Sequence, residues 1–496
     1  MKEKSCNKNT DINEPVSRNI EANIQTFQKI YKDCADIKTR EMYLGAHNDK
    51  KCFMAYIEVA LDIKSFGESG IGMLVKNIEA GISPKDAKVA DVTEIKDLNQ
   101  ALDVILVGNV LVFVDGFNYA LKIGDKGYPS LGVKETDSEK VIRGSNEGFS
   151  DSIKINTALV RRRIRSQKLK VKETTAGVRS NTVVDIMYMK DIAYPHVVTE
   201  IMKRINRYEV DGVLDSGVIE QLAEKKWYSP FPEFQTTQRP DRAAMAVLEG
   251  RIVVLCDNSP IALILPTDFN SFLKTTDDYY NRFEAASLAR IIRYVSAFLA
   301  MTLPGLYLAV TNFHTQILPT SLLLSFWEAR IGCPFPEVVE VVLMELSFEL
   351  LREAGIRLPG AMGNTIGIVG GLIIGQAAVD ANLVSPIVVI VVAFTALCSF
   401  AIPNEEFAFS FRLLKFGFIA LSAWLGYFGF LLGIYAVIVH LSRLESFGIP
   451  YLSPFVAYGE KSTEVLGESI IRKPFRRLKY RPIYARRNQR IRLRGK

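Results

Sequence analysis

Four long runs without a charged residue constrain this chain more than any other feature: Tyr294–Trp327, Leu358–Val379, Ala381–Asn404 and Phe416–Ser442. Each reaches or exceeds the roughly 20 residues that cross a bilayer core, and a soluble protein seldom contains four of them. The expected class is an α/β soluble part followed by an all-α polytopic membrane domain. At 496 residues the chain exceeds a single hydrophobic core, so several domains are expected. Met1–Pro15 is polar with no apolar h-region, which argues against a signal peptide and leaves the first spanning helix to direct insertion.

Charge orients the membrane part. Arg290 and Arg293 precede the first run, and Arg472–Lys496 is densely basic with no acid. By the positive-inside rule both ends are cytoplasmic, which requires an even number of crossings. About four are expected, with the acidic segment 336–353 as a partly embedded amphipathic helix. Arg412 and Lys415 then fall on the outer side, where the rule disfavours them. The net charge of +7 comes largely from the tail, read as an anchor on anionic membrane lipid and not as a nucleic-acid binder. Six cysteines show no paired spacing and read as reduced thiols.

Two patterns in the membrane part carry candidate chemistry. Glu345, Glu349 and Glu353 recur every fourth residue, one acidic face on an apolar helix. An ionised group at the bilayer centre costs at least about 2.5 kcal/mol, so these carboxylates should face protein or water. They line a cation vestibule, pair with Arg330, Arg352 and Arg357, or face bulk water from an interfacial helix. Gly363, Gly367, Gly371 and Gly375 recur at the same interval, accompanied by Asn364, Thr365 and Gln376. Such a ridge serves close helix packing or a narrow pore helix in an oligomer.

The soluble part divides into a polar tail (1–40, with a short helical pattern at Ile24, Phe27, Ile30 and Tyr31), a first α/β subdomain (41–170) and a second (171–280). The membrane domain (281–450) and a basic cytoplasmic tail (451–496) follow. Ala101–Leu121 and Ala243–Leu263 align without a gap at an offset of 142, matching Leu106 with Leu248, Gly108 with Gly250, Asp115 with Asp257 and Ala120 with Ala262. In each copy a helix ends at Gly, a buried strand follows, and an Asp-Gly or Asp-Asn turn reverses the chain. Two similar tandem subdomains are expected. Between them, Arg161, Arg162, Arg163, Arg165 and Lys168 lie on a predicted linker helix, either paired with acidic neighbours or binding phosphate, lipid headgroups or RNA.

Enzymatic chemistry finds no support. His47, His196, His314 and His440 sit in no metal-ligand spacing, and neither a nucleophile elbow nor a Walker lysine is present. The glycines of the tract Lys64–Glu79 lack the Lys and Ser/Thr of a phosphate loop. Asp211-Gly212 and Asp215-Ser216 read as turns. No cofactor or metal is expected.

A resemblance covers residues 50–458. Pro334-Phe335-Pro336-Glu337, Leu343–Pro359, Ile374–Val379, Leu383–Pro386, Ile402-Pro403 and Ser446–Pro454 resemble motifs of the A subunits of bacterial spore germinant receptors, the GerA family. So do Arg143-Gly144, Glu147-Gly148-Phe149, Asn156–Ile164, Asp211-Gly212, Ser229–Pro232 and Arg239–Arg242. Departures are Ser145-Asn146, where Pro-Arg is commoner, and the acidic Asn404-Glu405-Glu406. The resemblance implies a multi-pass protein of the spore inner membrane, with both termini on the core side. It implies assembly with a transporter-like B subunit and a lipoprotein C subunit, nutrient sensing chiefly by B, and homo-oligomerisation of A around a pore. A companion branch of the family acts as an amplifying channel. The expected function is a nutrient-gated channel subunit that releases ions to trigger germination. The alternatives are a membrane-tethered scaffold without its own pore and a solute transporter, although no inverted repeat of membrane segments is visible.

Overall fold

The computed structural model describes residues 14–44, 50–60, 92–124, 139, 143–357, 374–456 and 469–493. Two compact units emerge. The first contains residues up to Trp227, Phe234–Thr267 and Phe475–Lys496; the second contains Tyr228–Glu233 and Asp268–Pro474.

The first unit is built twice from one plan. In the first repeat α1 (Ile20–Ile30), β1 (Ile37–Leu44), β2 (Lys50–Ile57), β3 (Val92–Ile95), α2 (Leu98–Leu106), β4 (Val110–Val114) and β5 (Ala120–Ile123) give a sheet of order β1-β2-β4-β5-β3. In the second, α3 (Ile153–Arg163), β6 (Leu169–Ala176), β7 (Thr182–Met189), α4 (Pro195–Ile205), α5 (Ser216–Ala223), β8 (Gln235–Thr237), α6 (Pro240–Glu249), β9 (Ile252–Cys256) and β10 (Ala262–Leu265) give β6-β7-β9-β10-β8. The order is the same, and every described pairing within the two sheets is antiparallel. The expected tandem of α/β subdomains is therefore present.

The matched residues hold equivalent positions for identifiable reasons. Gly108 and Gly250 end their helices at φ of 86° and 97°, a left-handed conformation that glycine adopts without strain. Asp115 and Asp257 each accept from the first amide of the repeat's opening helix, that of Ile20 at 3.3 Å and that of Ile153 at 3.1 Å. Asn23 and Asn156 each clamp a preceding serine backbone from both sides. Asn23 Oδ1 accepts from Ser17 N and its amide donates to Ser17 O; Asn156 does the same with Ser150. One face of the first sheet, with Phe53, Ala55, Leu111 and Phe113, packs under α1 and α2. Val171, Met187, Val253 and Leu255 pack under α3 and α6 in the second.

Two segments expected as tails belong to these cores. Residues 14–40 contain α1, whose Ile20, Ile24 and Phe27 are buried, so one apolar stripe outweighs a polar composition. At the other terminus Tyr484 and Ala485 are buried against the second sheet. Arg251 donates to Tyr484 Oη at 2.8 Å, and the Arg486 guanidinium donates to the carbonyls of Lys190 and Ala193. Gly250 is required twice over here, since a Cβ would stand 2.9 Å from Ala485 Cα.

The second unit is a helical bundle. After the short helices α7 (Phe269–Leu273) and α8 (Asp277–Tyr280) come α9 (Phe283–Phe313), α10 (Thr320–Glu328), α11 (Glu337–Arg357), helical residues 374–380, α12 (Pro386–Phe400) and α13 (Glu405–Arg443), then a two-stranded β11 (Glu445–Ser446) and β12 (Ile449–Pro450). Among the described residues α9 and α13 are long and apolar enough to cross a membrane, and α12 is a shorter apolar helix. Most of the run Leu358–Val379 lies outside the described residues.

The run Phe416–Ser442 does not form one straight rod. Gly426 has φ 59° and ψ −138°, outside the helical region, and the chain reverses there. Phe231 contacts the rings of both Phe407 and His440, with centroids 6.0 and 6.1 Å away, and Phe418 stacks edge-on against Phe430 at 5.9 Å. In a continuous helix Phe407 and His440 would be about 50 Å apart. So α13 is a helical hairpin, with limbs 405–425 and 427–443 of about 31 and 25 Å. Its tip packs on the end of α9, where Gly426 leaves room for the Phe313 ring.

These contacts define two ends of the bundle. At the Phe231 end lie the N-terminal half of α9 and both feet of the hairpin. At the Phe313 end lie the end of α9, the hairpin tip and the start of α11.

Candidate functional site

The acidic face of α11 meets bases from the hairpin. Lys415, on the first limb of α13, places Nζ 2.5 Å from Glu345 Oε2 and 3.4 Å from Glu349 Oε1. Arg412, one turn earlier, lies 3.8 Å from Glu349 and 3.2 Å from Glu405. Arg352 pairs with Glu405 at 2.7 Å and donates to Ser399 Oγ on α12 at 3.2 Å. Four-residue spacing on α11 (345, 349) and three-residue spacing on α13 (412, 415) put each set on one helix face, so the faces interlock. The Glu345 and Lys415 side chains are only 2% and 5% exposed. Such a burial is tolerable because the charges are paired.

The cluster lines a cavity of about 30 Å³, together with Ala300, Phe348, Thr395, Ala396 and Phe400. That is room for an ordered water between polar partners. Glu345 Oε1 is buried and has no hydrogen-bond partner among the described residues.

Of the predicted site residues, the structure brings Glu345 and Glu349 together and leaves Glu353 on the exposed part of the helix. Their bases come from α13, and Arg352 turns instead to Glu405. Arg412 and Lys415 thereby find partners, and they lie on the limb whose foot stands at the Phe231 end with the N-terminal half of α9, not at the opposite end that four crossings imply. Gly363, Asn364, Thr365, Gly367 and Gly371 lie outside the described residues. Gly375 packs on Val389, where a Cβ would meet Cγ1 at 3.2 Å, and Gln376 bonds Asp380 one turn on.

A second polar cluster at the Phe313 end had no sequence signal of its own beyond two acids in the first turn of α11. Arg330 holds Glu337 at 2.5 Å and Glu340 at 3.5 Å. Thr311 Oγ1 donates to Glu337 at 2.5 Å, and the Ser385 amide donates to the buried Glu340 at 2.9 Å. Ion pairs thus stand at the start of α11 as well as along its middle and C-terminal part.

In the α/β unit the arginine-rich α3 turns inward. Arg161 is fully buried and forks onto Asp36 at 2.8 and 2.9 Å, tying the second repeat to the first. Arg162 and Arg163 converge on Glu147, which burial alone would push up; the two guanidiniums hold its carboxyl below its usual range. Asp211 and Asp215 are turn and cap groups: the Asp211 carbonyl accepts from Arg179 and Ser180, and Asp215 precedes α5. Cys34, Cys52, Cys256, Cys333 and Cys398 are free thiols, and burial pushes Cys52 and Cys256 up to about 12. Among the described residues no group of His, Cys, Asp and Glu could hold a metal.

A duplicated α/β unit, a helical bundle and charges buried inside that bundle define a class of two-part proteins with a membrane-type half. The family described as Bacillus/Clostridium GerA spore germination protein matches residues 25–484. This chain belongs to that family. Over 388 residues it is 40% identical to spore germination protein A1 of Bacillus subtilis, covering 78% of this chain and 80% of that protein. It is 37% identical to spore germination protein KA of the same organism over 467 residues, 93% of this chain and 85% of that one. Among solved structures, the N-terminal domain of the A subunit of the Bacillus megaterium spore germinant receptor GerK3 is 28% identical with a TM-score of 0.42, covering 52% of this chain and 98% of that one.

Proposed function

We propose that this protein is the A subunit of a nutrient-responsive spore germinant receptor and that its helical unit conducts cations when the receptor opens. The reading draws on the family and on relatives named for spore germination. The observation that carries the conducting role is the ionised cluster of Glu345, Glu349, Arg352, Glu405, Arg412 and Lys415 around a cavity inside an apolar bundle. Several copies of the chain assemble around a common axis in the spore inner membrane, with a transporter-like B subunit and a lipoprotein C subunit. Nutrient binding to a partner favours an open arrangement, and ions then move down their gradient. The protein is no enzyme in this reading, and both termini face the spore core.

The test is reconstitution in potassium-loaded liposomes, alone and with the B and C partners, following efflux while nutrients are titrated. Nutrient-dependent efflux that Glu345→Gln alters supports the channel. Absence of efflux from folded, oligomeric protein under every condition points instead to a tethered scaffold without a pore.

A further inference from the structure

We propose that Lys415 is a tethered cation that plugs the conducting route in the resting state, occupying between Glu345 and Glu349 the position a permeating cation takes on opening. The inference rests on the channel reading and assigns the resting state of that same site.

Three observations carry it. First, the ammonium touches both carboxylates, at 2.5 and 3.4 Å, which is where a monovalent ion crossing an acidic pair would be held. Second, the six charged residues balance, with acids at Glu345, Glu349 and Glu405 and bases at Arg352, Arg412 and Lys415. A site already neutral offers a mobile cation no net attraction, so the arrangement described is closed by charge. Third, the site is not saturated. Glu345 Oε1 is buried beside the cavity without a hydrogen-bond partner among the described residues, so one coordination position stays open to a ligand that Lys415 cannot fill with its other contacts.

The chemistry of lysine suits a removable plug. Its charge sits on a flexible four-carbon stem, whereas the planar Arg352 and Arg412 are fixed by Ser399, Glu405 and ring contacts with Phe400 and Phe409. A small shift of the hairpin limb relative to α11 withdraws the ammonium and leaves two carboxylates facing the cavity. The two arginines remain and hold the helices together.

The experiment uses the full receptor in liposomes with a potassium chloride gradient and no nutrient. Lys415→Met is expected to raise nutrient-independent potassium efflux about tenfold, within the usual range of coupling between sites, with potassium strongly preferred over chloride. Lys415→Arg keeps the charge and is expected to stay shut. Lys415→Met combined with Glu345→Gln removes both charges and is expected to return the leak towards the wild-type level. Because Lys415→Met leaves a buried carboxylate unpaired, oligomer size is checked for each variant, and the double variant supplies the folded comparison.

Equal leakage of potassium and chloride from Lys415→Met would mean a disrupted bundle and overturn the plug. So would a silent Lys415→Met in a receptor whose wild-type form opens to a mixture of the twenty common L-amino acids; the channel reading would then survive. Silence of both wild type and variant would remove the channel reading, and the plug with it.

Discussion

Two residues in the α/β unit illustrate how burial decides what a charge does. Arg161 has lost all contact with water and is held by Asp36 and by backbone carbonyls. Replacing it with methionine leaves Asp36 buried and uncompensated, so a loss of about 3–5 kcal/mol is expected, read as a lower midpoint in chemical denaturation. Asp185 is the opposite case. It accepts from Thr157 at 2.9 Å, yet burial pushes its carboxyl up to about 7. With an unfolded value near ~3.9, the folded state binds the proton more tightly. Stability is therefore greatest at low pH and falls as pH rises from about 4 to about 7, by on the order of 4 kcal/mol. Asp185→Asn keeps an acceptor for Thr157 and should flatten that dependence. Melting midpoints of the two proteins at pH 5 and pH 8 check it: a wild-type midpoint that does not drop would sink the assignment.

At the scale of elements, what was legible in the sequence was whatever a backbone requirement pins to one residue type. The echo of Ala101–Leu121 in Ala243–Leu263 was visible because Gly108, Gly250, Asp115 and Asp257 have duties that few residues perform. The opening helices α1 and α3 were not matched, since their shared signature is only an asparagine and a stripe of apolar residues whose identities differ. The same logic grades substitutions. Gly108→Ala should cost about 1–2 kcal/mol for its positive φ, and Gly250→Ala clearly more, because its Cβ also meets the C-terminal segment. Comparing the two by denaturation separates backbone strain from crowding. The hairpin in α13 was illegible because glycine inside an apolar run reads equally well as packing. Gly426→Leu should prevent the turn, since a Cβ there already stands 2.8 Å from the Phe313 ring; a protein of normal yield and oligomer size would contradict the hairpin.

For the whole molecule, the acidic spacing on α11 was visible, but the partners of Glu345 and Glu349 lie some seventy residues away on α13, a separation that no local pattern reveals. The C-terminal basic segment likewise read as a cytoplasmic tail anchored on anionic lipid, since arginines outnumber the few residues, Tyr484 and Ala485, that dock it. Truncation after Pro474 uncovers that side of the second sheet. Hydrogen exchange should then quicken in β7 and β9 while β2 and β4, in the first repeat, keep their protection; equal quickening in both would deny the docking.

One bent glycine also settles a question of parity. An apolar stretch that crossed once would deliver the last helix, and the arginines behind it, to the far end of the bundle. Because the chain doubles back at Gly426, the second limb returns to the end where Phe407 and His440 both contact the Phe231 ring. Which end of the bundle the chain leaves from at Arg443 is therefore decided by whether one residue continues a helix or reverses it.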